Sequence, residues 1–110
     1  MLRTDLWVAA FVRRHNDIGH ICVIARHGDP IAGQIFIVLD HLNGTQTLFG
    51  PAPATARVDG DADRIFVRVL EAAEPVAVRE RLAREDRFDP DFWVVDVEMR
   101  GGDIGVTLAK

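Results

Sequence analysis

Three short stretches of the sequence decide the fold: ICVIA at residues 21–25, IFIVL at 35–39 and FWVVDV at 92–97. Each has the length of a β-strand and is apolar almost without interruption. A strand with one face in water alternates apolar and polar residues, whereas a strand covered on both faces is a continuous Val/Ile/Leu run. The three stretches therefore predict a sheet that is packed on both sides. We expect six of their residues to be buried: Cys22, Val23, Phe36, Ile37, Val94 and Val95.

Two helices are predicted outside these strands. Thr4 can cap the first helix and Gly19 can end it, and the apolar residues between them recur with i, i+3 and i+4 spacing. The segment 7–12 could instead form a strand. Pro75 suits the first turn of the second helix, which is predicted to run to about residue 86.

Turn signals and alternation complete the sheet. The pair Asn43-Gly44 predicts a two-residue type I′ hairpin turn, because both residues tolerate positive φ. Segment 45–49 alternates, which indicates a more exposed strand, and the alternating segment 104–108 is predicted to be a short edge strand. The predicted strands are 21–26, 34–42, 45–49, 65–70, 92–98 and 104–108.

These elements define the expected fold class. The 110 residues suit one domain, spanning 1–110, and are too few for two. We predict an α/β domain, with α+β as the alternative. Its single mixed or mostly antiparallel sheet has five to six strands, with a helix on each face.

Composition limits the possible partners and the compartment. The formal net charge is −4, and the sequence pI is about 5.4. A general nucleic-acid binder usually carries a basic excess, so we expect no nucleic-acid partner. Cys22 is the only cysteine, which rules out an internal disulfide and favours a reducing compartment. With no signal peptide and no membrane-length apolar run, the sequence predicts a cytoplasmic protein that does not bind membranes.

Sequence motifs for metals and cofactors fail in this chain. Asp59, Asp61 and Asp63 alternate like the start of a calcium loop, but the sixth and twelfth positions hold Arg64 and Leu70 instead of glycine and glutamate. The four histidines lack metal-ligand spacing, and no phosphate-binding glycine loop is present. We therefore expect no metal and no cofactor.

Charged residues near the predicted strand ends are the candidate site. The segment RFDPDFW at 87–93 breaks the second helix and begins the last strand, because the residue before proline avoids helical geometry. In the structural interpretation, Phe88, Phe92 and Trp93 anchor this turn in the core. In the functional one, its aspartates share a strand-end crevice with nearby arginines. The candidate ligand-binding residues are Arg13, Arg14, Arg26, Asp29, Asp89 and Asp91; no catalytic residue is predicted.

The chain also resembles a known family. The resemblance rests on WV at 7–8 and RR at 13–14, on RHGD at 26–29 with AG at 32–33, and on RFDPD at 87–91 through WVV at 93–95. Together these segments resemble the domain of unknown function (DUF) 1491 family of small bacterial proteins. His27 stands where a second basic residue is expected. The resemblance implies a standalone bacterial cytoplasmic domain and supplies neither an activity nor a site.

Two functions follow as hypotheses. The leading one is a non-enzymatic, self-associating protein-interaction module, because the sequence carries no catalytic constellation or cofactor motif. A homodimer is expected, since segments 45–49 and 104–108 lack the charges and prolines that usually protect edge strands. The alternative arrangement is a monomer whose edge is covered by loop 50–63. The second hypothesis is a small anionic-ligand site, or an enzyme, built from Arg26, Asp29, Asp89 and Asp91.

Overall fold

The computed structural model describes residues 2–55 and 64–109. Both predicted helices are present, and the helical interpretation of segment 7–12 is correct. The helices are α1 (Thr4–Asp17) and α2 (Pro75–Asp86). The strands are β1 (Ile21–Arg26), β2 (Ile35–Asp40), β3 (Gln46–Pro51), β4 (Ile65–Ala73), β5 (Trp93–Glu98) and β6 (Thr107–Leu108).

The six strands form one mixed sheet in the order β1-β5-β2-β3-β4-β6. The β2–β5 and β4–β6 pairs are parallel, and the other three pairs are antiparallel. This arrangement confirms the prediction of a single mixed sheet of five to six strands with two helices, and the fold is of the α+β class. Two of the three apolar runs, in β2 and β5, lie next to each other inside the sheet, and the third, in β1, lies at its edge.

Two separate cores lie on opposite faces of the sheet, because successive residues of a strand point to opposite sides. Ile35, Ile37 and Leu39 of β2 belong to one core, which includes Val8 and Phe11 of α1. Phe36 and Val38 belong to the other core, together with Val78 of α2. The α1 core and the α2 core are named below by these helices.

The burial prediction is correct for five of its six residues and wrong for Val23, which is 50% exposed. The strand β1 lies at one edge of the sheet, and its residues alternate between buried and exposed. Cys22 points into the α1 core. Val23 points to the opposite face, so the apolar run at 21–25 does not indicate two covered faces.

The predicted exposed strand at 45–49 is also corrected. It corresponds to β3, which lies between β2 and β4 and is largely buried. The β2–β3 hairpin is present, but the positive φ angles in its turn are at Leu42 and Gly44 and not at Asn43. The other sheet edge is β6, as predicted, although it has only two residues. The aspartates at 59, 61 and 63, and residues 56–63 of the loop expected to cover an edge, lie outside the described residues.

Candidate functional site

Four of the six predicted site residues belong to two segments that meet at one end of the sheet. A bulge between Ile24 and Arg26 shifts the pairing of β1 by one residue, which places Arg26 opposite Val94 on the α2-core face. There the Arg26 guanidinium lies 3.9 Å from the centre of the Phe92 ring. Its Nη2 donates to Asp86 Oδ1 and to the Pro90 carbonyl, both at 2.7 Å. Arg26 therefore holds the end of α2 and the start of β5 against β1.

Two of the aspartates at this corner, Asp29 and Asp89, accept hydrogen bonds from backbone N–H groups through their carboxylates. The Asp29 N–H donates to the Asp91 carbonyl at 2.9 Å, and the Asp29 carboxylate accepts from the N–H groups of Ile31 and Ala32. The Asp89 carboxylate accepts from the Asp91 N–H at 3.0 Å. These hydrogen bonds join the two segments at the corner and form its turns. Whether Arg26 and the aspartates also bind a ligand stays a prediction.

Two glycines permit this close packing. A Cβ added at Gly28 would overlap the Asp91 carbonyl oxygen and lie 2.6 Å from the Phe92 carbonyl carbon. A Cβ added at Gly33 would lie 2.7 Å from the carbonyl oxygens of Asp29 and Asp91. The Trp93 indole fixes the same corner by donating to the Asp29 carbonyl at 2.8 Å.

Phe88 departs from the expected anchoring role. Phe92 and Trp93 are buried as predicted, but Phe88 is 85% exposed. The chain makes a turn after α2, where the Phe88 N–H donates to the Glu85 carbonyl, and the Phe88 side chain points into solvent. The sequence pattern showed three aromatic residues near a proline but could not show which of them faces the core.

Arg13 and Arg14 lie apart from the Arg26 corner. The Asp5 N–H, in the first turn of α1, donates to the carbonyl of Pro30 beside Asp29. The two arginines are more than two turns further along the helix, or about 13 Å at 1.5 Å per residue. They line an open concavity of about 520 Å³ with Asp17. The six predicted site residues therefore occupy two places.

A histidine pair lies at this end of α1. His15 is buried, and its Nε2 is 2.8 Å from the Ile104 carbonyl, so Nε2 carries the hydrogen. Its Nδ1 then accepts from Nδ1 of His20, which is also 2.8 Å away. Burial, with further contributions from His20 and Arg14, lowers the pKa of His15 from its ordinary value of 6.5, although the Ile104 hydrogen bond opposes the shift. His15 is therefore a structural residue in its neutral form.

Cys22 shows no sign of nucleophilic character. Burial, and secondarily the charge of Asp96, raises the pKa of its thiol to about 11. A thiol with such a pKa is protonated at neutral pH and is a poor nucleophile. Its place in the α1 core fits the role of a small apolar residue.

A second charged surface was not predicted from the sequence. It comprises Ile21, Val23, Asp40, Asp96 and Glu98, and is called the acidic face below. Cross-strand partners share a face of the sheet, and Ile21 pairs with Glu98 while Val23 pairs with Asp96. Asp40 of β2 is the partner of Glu98 on the other side. All five residues are thus on the α2-core face, on strands β1, β5 and β2.

The acidic face combines exposed aliphatic groups with uncompensated negative charge. Ile21 is 60% exposed and Val23 is 50% exposed. Burial raises the pKa of Asp96 above its ordinary value of 3.8, and the charges of Asp40 and Glu98 raise it further. No ion pair within residues 2–55 and 64–109 includes these three carboxylates. The sign of this surface in the sequence is Asp96, the single charged residue in the otherwise apolar run at 92–97.

The architecture defines a small α+β domain, with a mixed sheet between two cores and a corner where RHGD meets RFDPDFW. The sequence profile described as "Protein of unknown function (DUF1491)" matches residues 2–106. The chain belongs to the DUF1491 family.

Solved structures agree with this assignment. A DUF1491 family protein from Caulobacter crescentus, solved by crystallography, is 33% identical with a TM-score of 0.80, over 98% of this chain and 99% of that chain. The solution structure of protein Atu0922 from A. tumefaciens is 34% identical with a TM-score of 0.84, over 97% of this chain and 93% of that chain. No curated protein matches the chain.

The described residues form neither a membrane-spanning helix nor a metal-binding cluster. Neither α1 nor α2 has the length and apolar character that crossing a membrane requires. In the part of the chain that the structure describes, no group of three or more His, Cys, Asp or Glu side chains is arranged to hold a metal ion.

Proposed function

We propose that this protein is a non-enzymatic, cytoplasmic protein-interaction module that binds a partner segment on its acidic face. The partner is a segment of another protein in which Lys or Arg side chains accompany apolar ones. The observation that carries the proposal is the position of two exposed aliphatic side chains, Ile21 and Val23, beside a row of carboxylates that form no ion pair with any described residue.

The aliphatic part supplies a favourable contact area. Fully burying a Val or Ile side chain is worth about 1.5–3 kcal/mol, and roughly half of each side chain is still available here. An exposed apolar area beside a polar rim is typical of an interaction surface. The helix α2 packs on β3 and β4, so it leaves the β1 side of this face accessible.

The charged part selects the partner. A positive side chain placed over Asp96 would favour the ionised carboxylate that burial, Asp40 and Glu98 now disfavour. Arg26 lies on the same side of the sheet, but it is engaged with Asp86 and Pro90. A basic segment should therefore bind this surface more tightly than a neutral segment does.

A second copy of the chain is a less suitable occupant of this surface. Two acidic faces packed together would bring like charges close to each other. The free edge of β1 is also protected at Cys22, whose N–H and carbonyl are both hydrogen bonded to the Asn16 side-chain amide. Homodimer formation stays a prediction, and the test below includes it.

The experiment is a titration of the isotope-labelled protein with short peptides, followed by NMR. A peptide of alternating Lys and Leu should shift the amide signals of Ile21–Val23 and Asp96–Glu98 in a saturable manner. Two control peptides, one alternating Glu and Leu and one alternating Lys and Ser, should leave these signals unchanged. The variant Val23→Asn should weaken binding, whereas Val76→Asn, at an exposed aliphatic position on α2, should not.

Three results would contradict the proposal. Shifts of equal size with the Glu-Leu peptide would exclude charge selection, and shifts confined to another surface would exclude the acidic face. Light scattering after size exclusion gives the third test. A mass of twice 12.2 kDa that returns to 12.2 kDa in Val23→Asn would show that the acidic face binds a second copy instead.

A further inference from the structure

Two adjoining concavities lie on the α1-core face, near the edge formed by β4 and β6. One has a volume of about 340 Å³ and the other of about 230 Å³. They share Phe49, Arg68 and Gly102. Apolar side chains from the C-terminal segment, including Ile104 and Val106, form the wall of the larger one. The smaller one, which His41, Thr47, Arg68 and Glu71 line, is called the polar end below. Apolar side chains with a few polar groups among them are the usual composition of a small-molecule site.

The polar end is built on an irregular stretch of β4. The register with β3 shifts around Thr47 and Leu48, and Ala72 has a φ of 45°, a strained value for a residue with a side chain. The Ala72 N–H donates to Thr47 Oγ1 at 3.1 Å. The same hydroxyl lies 2.7 Å from Nε2 of His41. This network fixes the His41 ring at the edge of the smaller concavity.

Arg68 lies between the two concavities, and no other arginine among the described residues lines them. It is the cross-strand partner of Phe49, and its guanidinium carbon is 5.8 Å from the centre of the Phe49 ring. No ion pair within the described ranges, 2–55 and 64–109, includes Arg68. A guanidinium held over an aromatic ring presents its N–H groups as a planar fork that matches a carboxylate.

Two acidic residues limit the charge that the site accepts. Glu71 lines the smaller concavity and Asp103 lines the larger one. A doubly charged phosphate at Arg68 would be repelled by both carboxylates, whereas a single carboxylate is repelled less. The apolar wall suits a hydrocarbon group attached to that carboxylate.

We propose that this pair of concavities binds a small organic acid. The carboxylate of the acid is bound by Arg68, and its hydrocarbon part lies against Phe49, Ile104 and Val106. This site lies on the face of the sheet opposite the acidic face, so it is independent of the proposed partner surface.

Four probes with the same six-carbon chain test the proposal by NMR titration: hexanoate, hexyl phosphate, hexan-1-ol and hexylammonium. Hexanoate at millimolar concentration should shift the amide signals of Phe49, Arg68 and Gly102 in a saturable manner. Hexan-1-ol and hexylammonium should not, and hexyl phosphate should bind more weakly. The absence of saturable shifts with hexanoate would overturn the proposal, and so would equal shifts with hexan-1-ol. Equal or tighter binding of hexyl phosphate would overturn the preference for a carboxylate.

Two variants with opposite expected effects test the residues. Arg68→Met keeps most of the side-chain volume and removes the charged donor, which should weaken hexanoate binding at least about tenfold. Glu71→Gln removes a repelling charge from an exposed position and should strengthen it. Arg79→Met, at an exposed arginine on α2, is the control and should change nothing. Unchanged affinity in both Arg68→Met and Glu71→Gln would overturn the role of Arg68.

Discussion

Replacing Gly28 with alanine tests the packing of the corner where β1 ends and β5 begins. The added Cβ would overlap the Asp91 carbonyl oxygen and approach the carbonyl carbon of Phe92 to 2.6 Å. Both neighbours are backbone atoms, so no side chain can rotate out of the way. The segments at 26–29 and 89–93 must then move apart. Their separation breaks the hydrogen bond from the Asp29 N–H to the Asp91 carbonyl.

The expected cost follows from these two effects. Overpacking a tight site costs about 1–3 kcal/mol. Loss of the backbone hydrogen bond adds about 0.5–1.5 kcal/mol. We therefore expect Gly28→Ala to lower the free energy of unfolding by about 1.5–4.5 kcal/mol, a large part of the ~5–15 kcal/mol typical of a domain. At about 4 °C per kcal/mol for a chain of this size, the melting temperature should fall by about 6–18 °C.

Urea unfolding followed by tryptophan fluorescence is a suitable assay, because the Trp93 indole donates to the Asp29 carbonyl inside the corner. The matched control is Gly101→Ala. A Cβ at Gly101 meets nothing within 4 Å, so this change should stay within about 0.5 kcal/mol of the parent. A Gly28→Ala protein as stable as the Gly101→Ala protein would refute the argument from close packing.

Three further predictions concern the cores and the buried charges. Ile37→Ala should lower the free energy of unfolding by about 2–4 kcal/mol and Val23→Ala by less than about 1 kcal/mol, because Ile37 is fully buried and Val23 is not. Equal effects of the two substitutions in urea unfolding would contradict the assignment of these residues to covered and exposed faces. The lowered pKa of His15 means that the unfolded chain binds the extra proton, so stability should fall as the pH drops below 6.5. Urea midpoints of His15→Gln should show a weaker pH dependence in that range, and an unchanged slope would contradict this role. The pKa of Asp96 is raised, so its charged form destabilises the fold, and Asp96→Asn should increase stability at neutral pH. The increase should shrink as the pH falls toward 3.8, and no increase at neutral pH would contradict the burial argument.

The fold could be predicted from the sequence where local pattern and burial agree. The runs of β2 and β5 are apolar because both of their faces are covered, and Pro75 marks the first turn of α2. The same reasoning failed at β1, because an apolar run indicates buried surface only if a second layer covers it. It also failed at β3, whose polar residues suggested exposure. Thr47 is buried there because its hydroxyl bonds to Ala72 and His41, partners that no local pattern reveals.

The corner could be predicted only in part, for a similar reason. Asp89-Pro90 indicates a turn from local geometry alone, and the Asp89 carboxylate does cap that turn. The partners of Arg26 are distant in sequence, and its place on the α2-core face depends on a bulge that moves it by one residue. A one-residue shift reverses the face of a side chain, so a sequence pattern cannot assign it.

Asp96 is a charged residue at a half-buried position, where an apolar residue would make the domain more stable. Its neighbours across the sheet are Val23 and Val38, and an apolar residue in its place would join the α2 core without the unfavourable burial of a charge. A domain selected for stability alone would gain from that replacement, because the half-buried Asp96 carboxylate lies near the negative charges of Asp40 and Glu98 and forms no ion pair within residues 2–55 and 64–109. Where the rest of a sequence suits its fold, a polar group that destabilises the fold is expected at a functional position. This cost at Asp96, next to exposed Ile21 and Val23, is the reason for proposing the partner surface here and not at the Arg26 corner. There Arg26 and the carboxylates of Asp86, Asp29 and Asp89 already make hydrogen bonds within the domain.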